Sequence, residues 1–332
     1  MKVGTILLWE DDVDAFTHRV GRAEALGYGM IGIGDSPDGY REVCVSLAVA
    51  AAAAERATLS SAVTVPVGRH PAVLASSLVG LQELSGGRIV CGIGTGGSAT
   101  SALGLPPTRQ DQVRRFVLAL RDLLEGRATE WGGVTVPPLR HPRRVPIFLS
   151  AYGPAARRLA GELFDGVILA TGASVPLLRR YVREVAVGAE AAGRDPTTVE
   201  TWVMARGAVR PDRAEALGDI KANLASAASF GLRSAAQMAT VPEELRPRIE
   251  ELRKRYDATQ HVVWDGDNAR LVDELGLTEY LAERFAIVGT PTECREQVAA
   301  LDREGVTCLV VPAVDRDPDG LLERLAHAIL PR

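Results

Sequence analysis

Eight short apolar runs, separated by segments of helical periodicity, recur almost from one end of this 332-residue chain to the other. The runs lie at 3–8, 30–33, 58–64, 89–93, 147–151, 166–170, 199–205 and 308–312. None alternates cleanly with polar residues, which marks strands buried on both faces, as in a parallel sheet. The segments between them are amphipathic. Val113, Phe116, Val117, Leu120, Leu123 and Leu124 make an i, i+3, i+4, i+7 stripe, and Val13, Phe16, Val20 and Ala23 make a shorter one. Helices are also expected at about 155–163 and 176–192. Thr290, Pro291 and Glu293 supply an N-cap, an N1 proline and a capping-box acid, and Gly305 closes that helix before the last run. Eight strands with interleaved helices predict one α/β domain over 1–332, a (β/α)8 barrel, with a doubly wound sheet as the alternative.

Two regions break the rhythm. TEWGGVTVP at 129–137 reads as a hairpin around a Gly-Gly turn. Residues 230–285 are too long for a strand-to-helix connection and are charged and helical. In a barrel they would form a helical insertion after strand seven, a lid or substrate-side segment on the face where the strands end.

Charge and composition exclude several classes of function. The net charge is −4 with acids and bases interspersed, so no basic block invites nucleic acid. The longest apolar run, near 43–54, is alanine-rich and too short to span a bilayer. The start, MKVGTILLWEDD, reads as a strand followed by acids rather than a signal peptide, and a soluble cytoplasmic protein is expected. Cys44, Cys91, Cys294 and Cys308 are far apart, form no C-x-x-C pair, and read as buried free thiols. His18, His141, His261 and His327 show no metal spacing. No nucleophile motif of the G-x-S-x-G kind is present. The basic residues are almost all arginine, with lysine only at 2, 221 and 254, a bias that reflects genome composition rather than function.

The chemistry-bearing stretch is RHP at 69–71 followed by SGGRIVCGIGTGG at 85–97. It reads as helix, turn, buried strand and glycine-rich loop. Gly92, Gly94 and Gly97 literally satisfy G-x-G-x-x-G, but three strands precede them and no strand ending in an acid follows at Rossmann spacing. The remaining readings are a glycine turn without a ligand, or a barrel loop whose backbone N–H groups hold a phosphate or diphosphate tail. SAYGP at 150–154 closes the next strand and opens a helix, whose free N–H groups suit an anion. In barrel order the two loops are neighbours, which suits one elongated phosphorylated ligand.

Four segments together resemble the bacterial luciferase-like superfamily: AVTVPVGRHP at 62–71, LSGGRIVCGIGTGG at 84–97, VPIFLSAYGPAARRLAGELFDG at 145–166, and 285–311. The branch resembled most uses the deazaflavin coenzyme F-420 and includes methylenetetrahydromethanopterin reductase. The resemblance implies a TIM barrel with the cofactor ring in its mouth. By position it implies cofactor contacts at Asp35, Ala62, Val63 and Thr64, at Gly94, Thr95, Gly96, Gly97 and Ser98, at Ala151, Tyr152 and Gly153, and at Thr171 and Gly172. It also implies a non-prolyl cis peptide at Ala62–Val63, and a homodimer built through barrel helices, for which the small-residue helix at 43–54 is a candidate.

A deazaflavin carries hydride and reacts poorly with oxygen, so the expected reaction is reduction of C=C or C=N in a small organic substrate. The competing expectations are an FMN-dependent monooxygenase fed reduced FMN by a partner reductase, and a non-catalytic cofactor-binding barrel. Glu10 is a candidate proton donor beside Trp9, which could stack on a ring; alternatively Glu10 and Asp11 simply begin the first helix. Asp35 is a candidate catalytic or cofactor contact, or else a turn-forming Asp in Asp-Ser-Pro. His70 reads as a helix-start or packing residue, and Arg69 as an anion ligand or a solvated surface group.

Overall fold

The computed structural model describes residues 1–10, 12–260 and 263–330. The chain runs β1 (Lys2–Leu7), α1 (Val13–Ala25), β2 (Met30–Ile33), α2 (Val43–Ala53), β3 (Thr58–Ser61), α3 (Pro71–Leu84) and β4 (Ile89–Ile93). It continues through α4 (Ser98–Ala102), α5 (Gln110–Leu124), β5 (Thr129–Trp131), β6 (Val134–Val136), β7 (Ile147–Ser150), α6 (Pro154–Leu163), β8 (Gly166–Leu169), α7 (Val175–Ala191) and β9 (Glu200–Met204). Then come β10 (Arg206–Val209), α8 (Arg213–Gly231), α9 (Ala235–Met238), α10 (Arg246–Arg255), α11 (Asp267–Glu274) and α12 (Thr278–Phe285). The last elements are β11 (Ala286–Gly289), α13 (Pro291–Arg303), β12 (Cys308–Pro312) and α14 (Pro318–Ile329).

Strands β1, β12, β9, β8, β7, β4, β3 and β2 close into an all-parallel barrel. Closure is direct: β1 pairs β2 through Gly4–Met30 and β12 through Gly4–Val310. An open doubly wound sheet is thereby ruled out. All eight sequence runs are barrel strands, all but the third ending within a residue of the expected limit, and at two of them the chain changes course. The third ends at Ser61, because the Ala62–Val63 peptide is cis and takes the chain out of strand geometry. The seventh ends at Met204, and the chain beyond it peels away as β10 to pair in parallel with β11, Arg206 opposite Ala286. That small second sheet had no counterpart in the sequence reading. The hairpin β5–β6 is present, turning through Gly132 and Gly133, both at positive φ as a two-residue turn requires.

Side chains alternate between two cores. Ile6, Met30, Val90, Phe148, Ile168, Trp202, Cys308 and Val310 fill the barrel interior, where Phe148 and Trp202 meet at 4.5 Å. A larger layer between strands and helices holds Phe16, Val20, Leu47, Phe116 and Leu120, the helical stripes read from the sequence. Helices α8, α10, α11 and α12 bury a third cluster that includes Leu224, Ile249, Leu252, Val272, Leu281 and Phe285. The segment 230–285 thus runs through α9 to α12 and shares its core with α8 before it. Local signals set the helix starts. Asp12 caps α1 by accepting from Ala15 N (2.8 Å), and Thr290 and Glu293 form the anticipated capping box of α13. Asp11 and His261 lie outside the described residues. Among the described residues no helix is long and apolar enough to cross a membrane.

Candidate active site

The carboxyl ends of the barrel strands meet at one rim, and the rim between β3 and β4 is built by mutual fit. Thr64 N donates to Gly92 O and Gly94 N to Thr64 O, both at 2.9 Å, so the segment after the cis bond is stitched to β4. Val63 leans across that strand. A Cβ on Gly92 would lie 3.1 Å from Val63 Cγ1 and 2.2 Å from Ser61 O, and one on Gly94 would lie 2.9 Å from Val63 Cγ2. The first two glycines of the literal G-x-G-x-x-G therefore make room for Val63. Gly96 turns the loop at φ +99°, tight against Thr100. Gly97 precedes α4 with no neighbour within 4 Å of a Cβ, and Thr95 O accepts from Thr108 N. Ser98 is the first residue of α4.

Neither α4 nor α6 has a side chain capping its N-terminus, and the same holds for α7, α10, α11 and α12. What sets the ends of α4 and α6 apart is their place: they follow β4 and β7, which are neighbours through Cys91 and Ile147. Ala151, Tyr152 and Gly153 form the second loop. Tyr152 O accepts from Arg157 Nη1 (2.6 Å) and Gln237 Nε2 (3.4 Å), so it is tied both to α6 and to α9. Arg157 is anchored in turn by Glu184 at 2.6 Å and by the Tyr181 ring.

After β8, Thr171 is buried and its hydroxyl has no protein partner; the same holds for Thr64. Gly172 sits at φ +94° against α12, where a Cβ would come 2.1 Å from Arg284 O, the acceptor for Ala173 N. Gly172 thus has a packing reason besides any ligand.

The β1–β2 side departs from the sequence reading. Trp9 does not face the barrel mouth: it stacks on Phe16 at 5.1 Å and packs on the outer core. Glu10 is exposed at the rim, ahead of the capping Asp12 rather than inside the first turn. Asp35 accepts from Arg69 Nη2 at 3.0 and 3.3 Å, and Arg69 Nη1 reaches Glu42 at 2.7 Å. The Asp35 side chain is 8% exposed and that of Arg69 23%. Arg69 is therefore neither an anion ligand nor a solvated group but the bridge between two carboxylates. Burial pushes the Glu42 carboxyl up, but the Val45 N–H and the Arg69 guanidinium outweigh it and hold the group below its ordinary value. Tyr40 is pushed up by burial and by Glu10 and Asp38. His70 starts α3, accepting from Ala72 N at Nδ1 (3.2 Å), with its ring edge-on to Trp131. Cys91, Cys294 and Cys308 are buried free thiols, while Cys44 is only partly covered.

Opposite, a small, partly open cavity lies between the β7–β9 rim and α8, and its lining includes Tyr152, Gly172, Met204, Arg206, Phe230 and Phe285. It joins two residues expected at the site, Tyr152 and Gly172, to four that sequence reasoning missed. The available signal was Arg206, a charge at the carboxyl end of an apolar run.

This geometry has known relatives. The profile of the luciferase-like monooxygenase family matches residues 1–308, and the chain belongs to that family. The chain is 29% identical to the 5,10-methylenetetrahydromethanopterin reductase of Methanolobus tindarius, over 93% of each protein. It is 30% identical to the F-420-dependent glucose-6-phosphate dehydrogenase of Beutenbergia cavernae, over 86% of this chain and 81% of that one. Among solved structures, the coenzyme F-420-dependent tetrahydromethanopterin reductase of Methanopyrus kandleri superposes with a TM-score of 0.79, at 23% identity, over 99% of this chain and 98% of that one.

Proposed function

We propose that the chain is an F-420-dependent oxidoreductase that moves hydride between the cofactor and a C=C or C=N bond of a small organic substrate. The observation that carries this reading is the seat formed by Val63 on the glycines of β4, beside two adjacent uncapped helix ends. The residues present fit such a cofactor. The hydroxyls of Thr64 and Thr171 are buried polar groups in want of a partner, which a ring with carbonyl and N–H edges satisfies. The N–H groups of Gly97, Ser98 and the first turn of α6 suit a phosphate-bearing tail. F-420, when bound, supplies the hydride; the chain supplies orientation and a dry enclosure. Ala62 and Val63 back the ring, and the helices beyond β9 close over the substrate side. Glu10 is the proposed proton carrier at the open rim.

The test is a fluorescence titration of the purified chain with F-420 and, separately, with reduced FMN. Saturable F-420 binding with weak FMN binding is expected. Tight FMN binding without F-420 binding would instead assign the chain to the monooxygenase reading that the family description carries. With F-420 bound but no turnover over a panel of enones and imines, the chain would be a cofactor-binding barrel only.

The proposal includes a homodimer. Helix α2 (VCVSLAVAAAA) is almost wholly apolar around its circumference yet lies at the surface, with Val45 56% exposed beside Val73 and Leu84 of α3, each 65% exposed. Sedimentation equilibrium of wild type and Val45→Glu should show a dimer and its weakening.

A further inference from the structure

Arginines in this chain are mostly spoken for. Arg69, Arg121, Arg157 and Arg213 each reach a carboxylate. Two arginines beside the cavity do not. Arg206 stands at the first position of β10, where the chain leaves the barrel, and lines the cavity with Tyr152 and Phe230. Its one hydrogen bond goes from Nη2 to Ser226 Oγ at 3.4 Å, and its nearest titratable neighbours are two phenols, Tyr152 and Tyr256, not carboxylates. Arg233 lies over the ring of Phe230, 4.4 Å from its centroid, and Nε donates to Ser229 O at 3.2 Å. Arg233 is exposed and meets the cavity through the Phe230 ring, which it covers and which lines the cavity beside Tyr152 and Arg206. The acid nearest these groups, Asp257, is turned to Thr259, accepting from its N (2.8 Å) and Oγ1 (2.7 Å).

We propose that Arg206 and Arg233 form an oxyanion-holding wall, and that the substrate of this enzyme carries a carboxylate or phosphate group seated there. The inference rests on the oxidoreductase reading above and narrows its substrate class. A guanidinium removed from bulk water without a carboxylate is unfavourable until an anion joins it. Its planar fork matches two oxygens of a carboxylate or phosphate. Arg206 is half-buried, and burial draws it below the ordinary arginine value. Burial also raises both phenols, Tyr256 to about 12, so at neutral pH they face an oxyanion as uncharged hydroxyls rather than as competing anions. Met204, Phe230 and Phe285 offer an apolar surface to the uncharged part of such a molecule.

The same chemistry could come from the acidic tail of the cofactor, and the experiment separates the two sources. The full chain is titrated calorimetrically with inorganic phosphate at fixed ionic strength, with and without F-420, and F-420 affinity is measured alongside. Wild type should bind phosphate saturably, with F-420 present or absent. Arg206→Gln should weaken phosphate about tenfold, Arg233→Gln less, and Arg206→Lys least, while F-420 affinity stays within about twofold of wild type. Thermal melts establish that each variant is folded, and Arg233→Gln carries the test if Arg206→Gln is not. Phosphate binding that is absent, or equal in wild type and both glutamine variants, overturns the wall. Phosphate that displaces F-420, with F-420 affinity falling in step in the variants, gives the anion to the cofactor and overturns the substrate assignment. If F-420 does not bind wild type but the phosphate losses remain, the wall stands and the oxidoreductase reading fails.

Discussion

The barrel rim has two unlike halves. On the β1–β3 side Arg69 closes Asp35 and Glu42 into one network anchoring the head of α3. On the β8–β10 side Arg206 lines a cavity with Tyr152 and aromatic carbons, and Arg233 lies exposed over the Phe230 ring, neither paired with a carboxylate. Charge on the first side is neutralised by the chain itself and serves the fold. Charge on the second side is left to something else, at some expense in stability, and that asymmetry is what points to a ligand.

The contrast can be broken at several points. The largest effect is expected where both halves rest on the same strand. Gly92→Ala places a Cβ against the backbone oxygen of Ser61 and should cost about 3 kcal/mol or leave no soluble protein. Urea unfolding measures it, and a well-folded Ala variant would remove the seat proposed for Val63. Next comes Arg69→Gln, which leaves the Asp35 carboxylate nearly buried and unpaired, for a loss of about 2 kcal/mol at pH 7. This loss depends on pH. The Glu42 pKa is depressed in the folded state, so its contribution is full above the ordinary carboxylate range and drains as pH falls through the folded value. The gap between Arg69→Gln and wild type should therefore narrow below about pH 4. Arg206→Gln should have the opposite sign, leaving stability unchanged or higher by up to about 1 kcal/mol in the absence of ligand. A loss as large as that of Arg69→Gln would erase the distinction between the halves. The smallest effect belongs to Gly97→Ala, within about 0.5 kcal/mol, since a Cβ there meets nothing. Any fall in F-420 affinity in that variant would then report a methyl group standing in the ligand's path rather than a change in the fold.

What the sequence made legible was what depends on neighbours along the chain. The eight strands, the Thr290 capping box and the Gly132–Gly133 hairpin are local patterns, and each appears where expected. What it hid depends on partners far away. The bond from Arg69 to Asp35 spans 34 positions, and without it Arg69 reads only as a lone cation. The seventh run ends at Ala205 as read, but nothing local says that the chain resumes at once as β10 and pairs with β11, some 80 positions on. Gly92 and Gly94 were visible as glycines, but their reason, the approach of Val63, lies on another strand. Trp9 was misplaced for the same cause, because Phe16 belongs to the next element. The cis bond at Ala62–Val63 was foreseen only through family resemblance, since nothing in Ala-Val marks it.

The pairing of β10 with β11 has a further consequence. It brings the first and last residues of the long excursion side by side, Arg206 with Ala286 and Val209 with Gly289. Whatever lies between leaves and re-enters at one doorway, and its helices carry their own apolar interior. Such an arrangement makes the enclosed stretch a cassette. Its length and contents can be rewritten, by evolution or by grafting, while the ring of strands beneath keeps its closure, and new specificities can arise on an unchanged barrel.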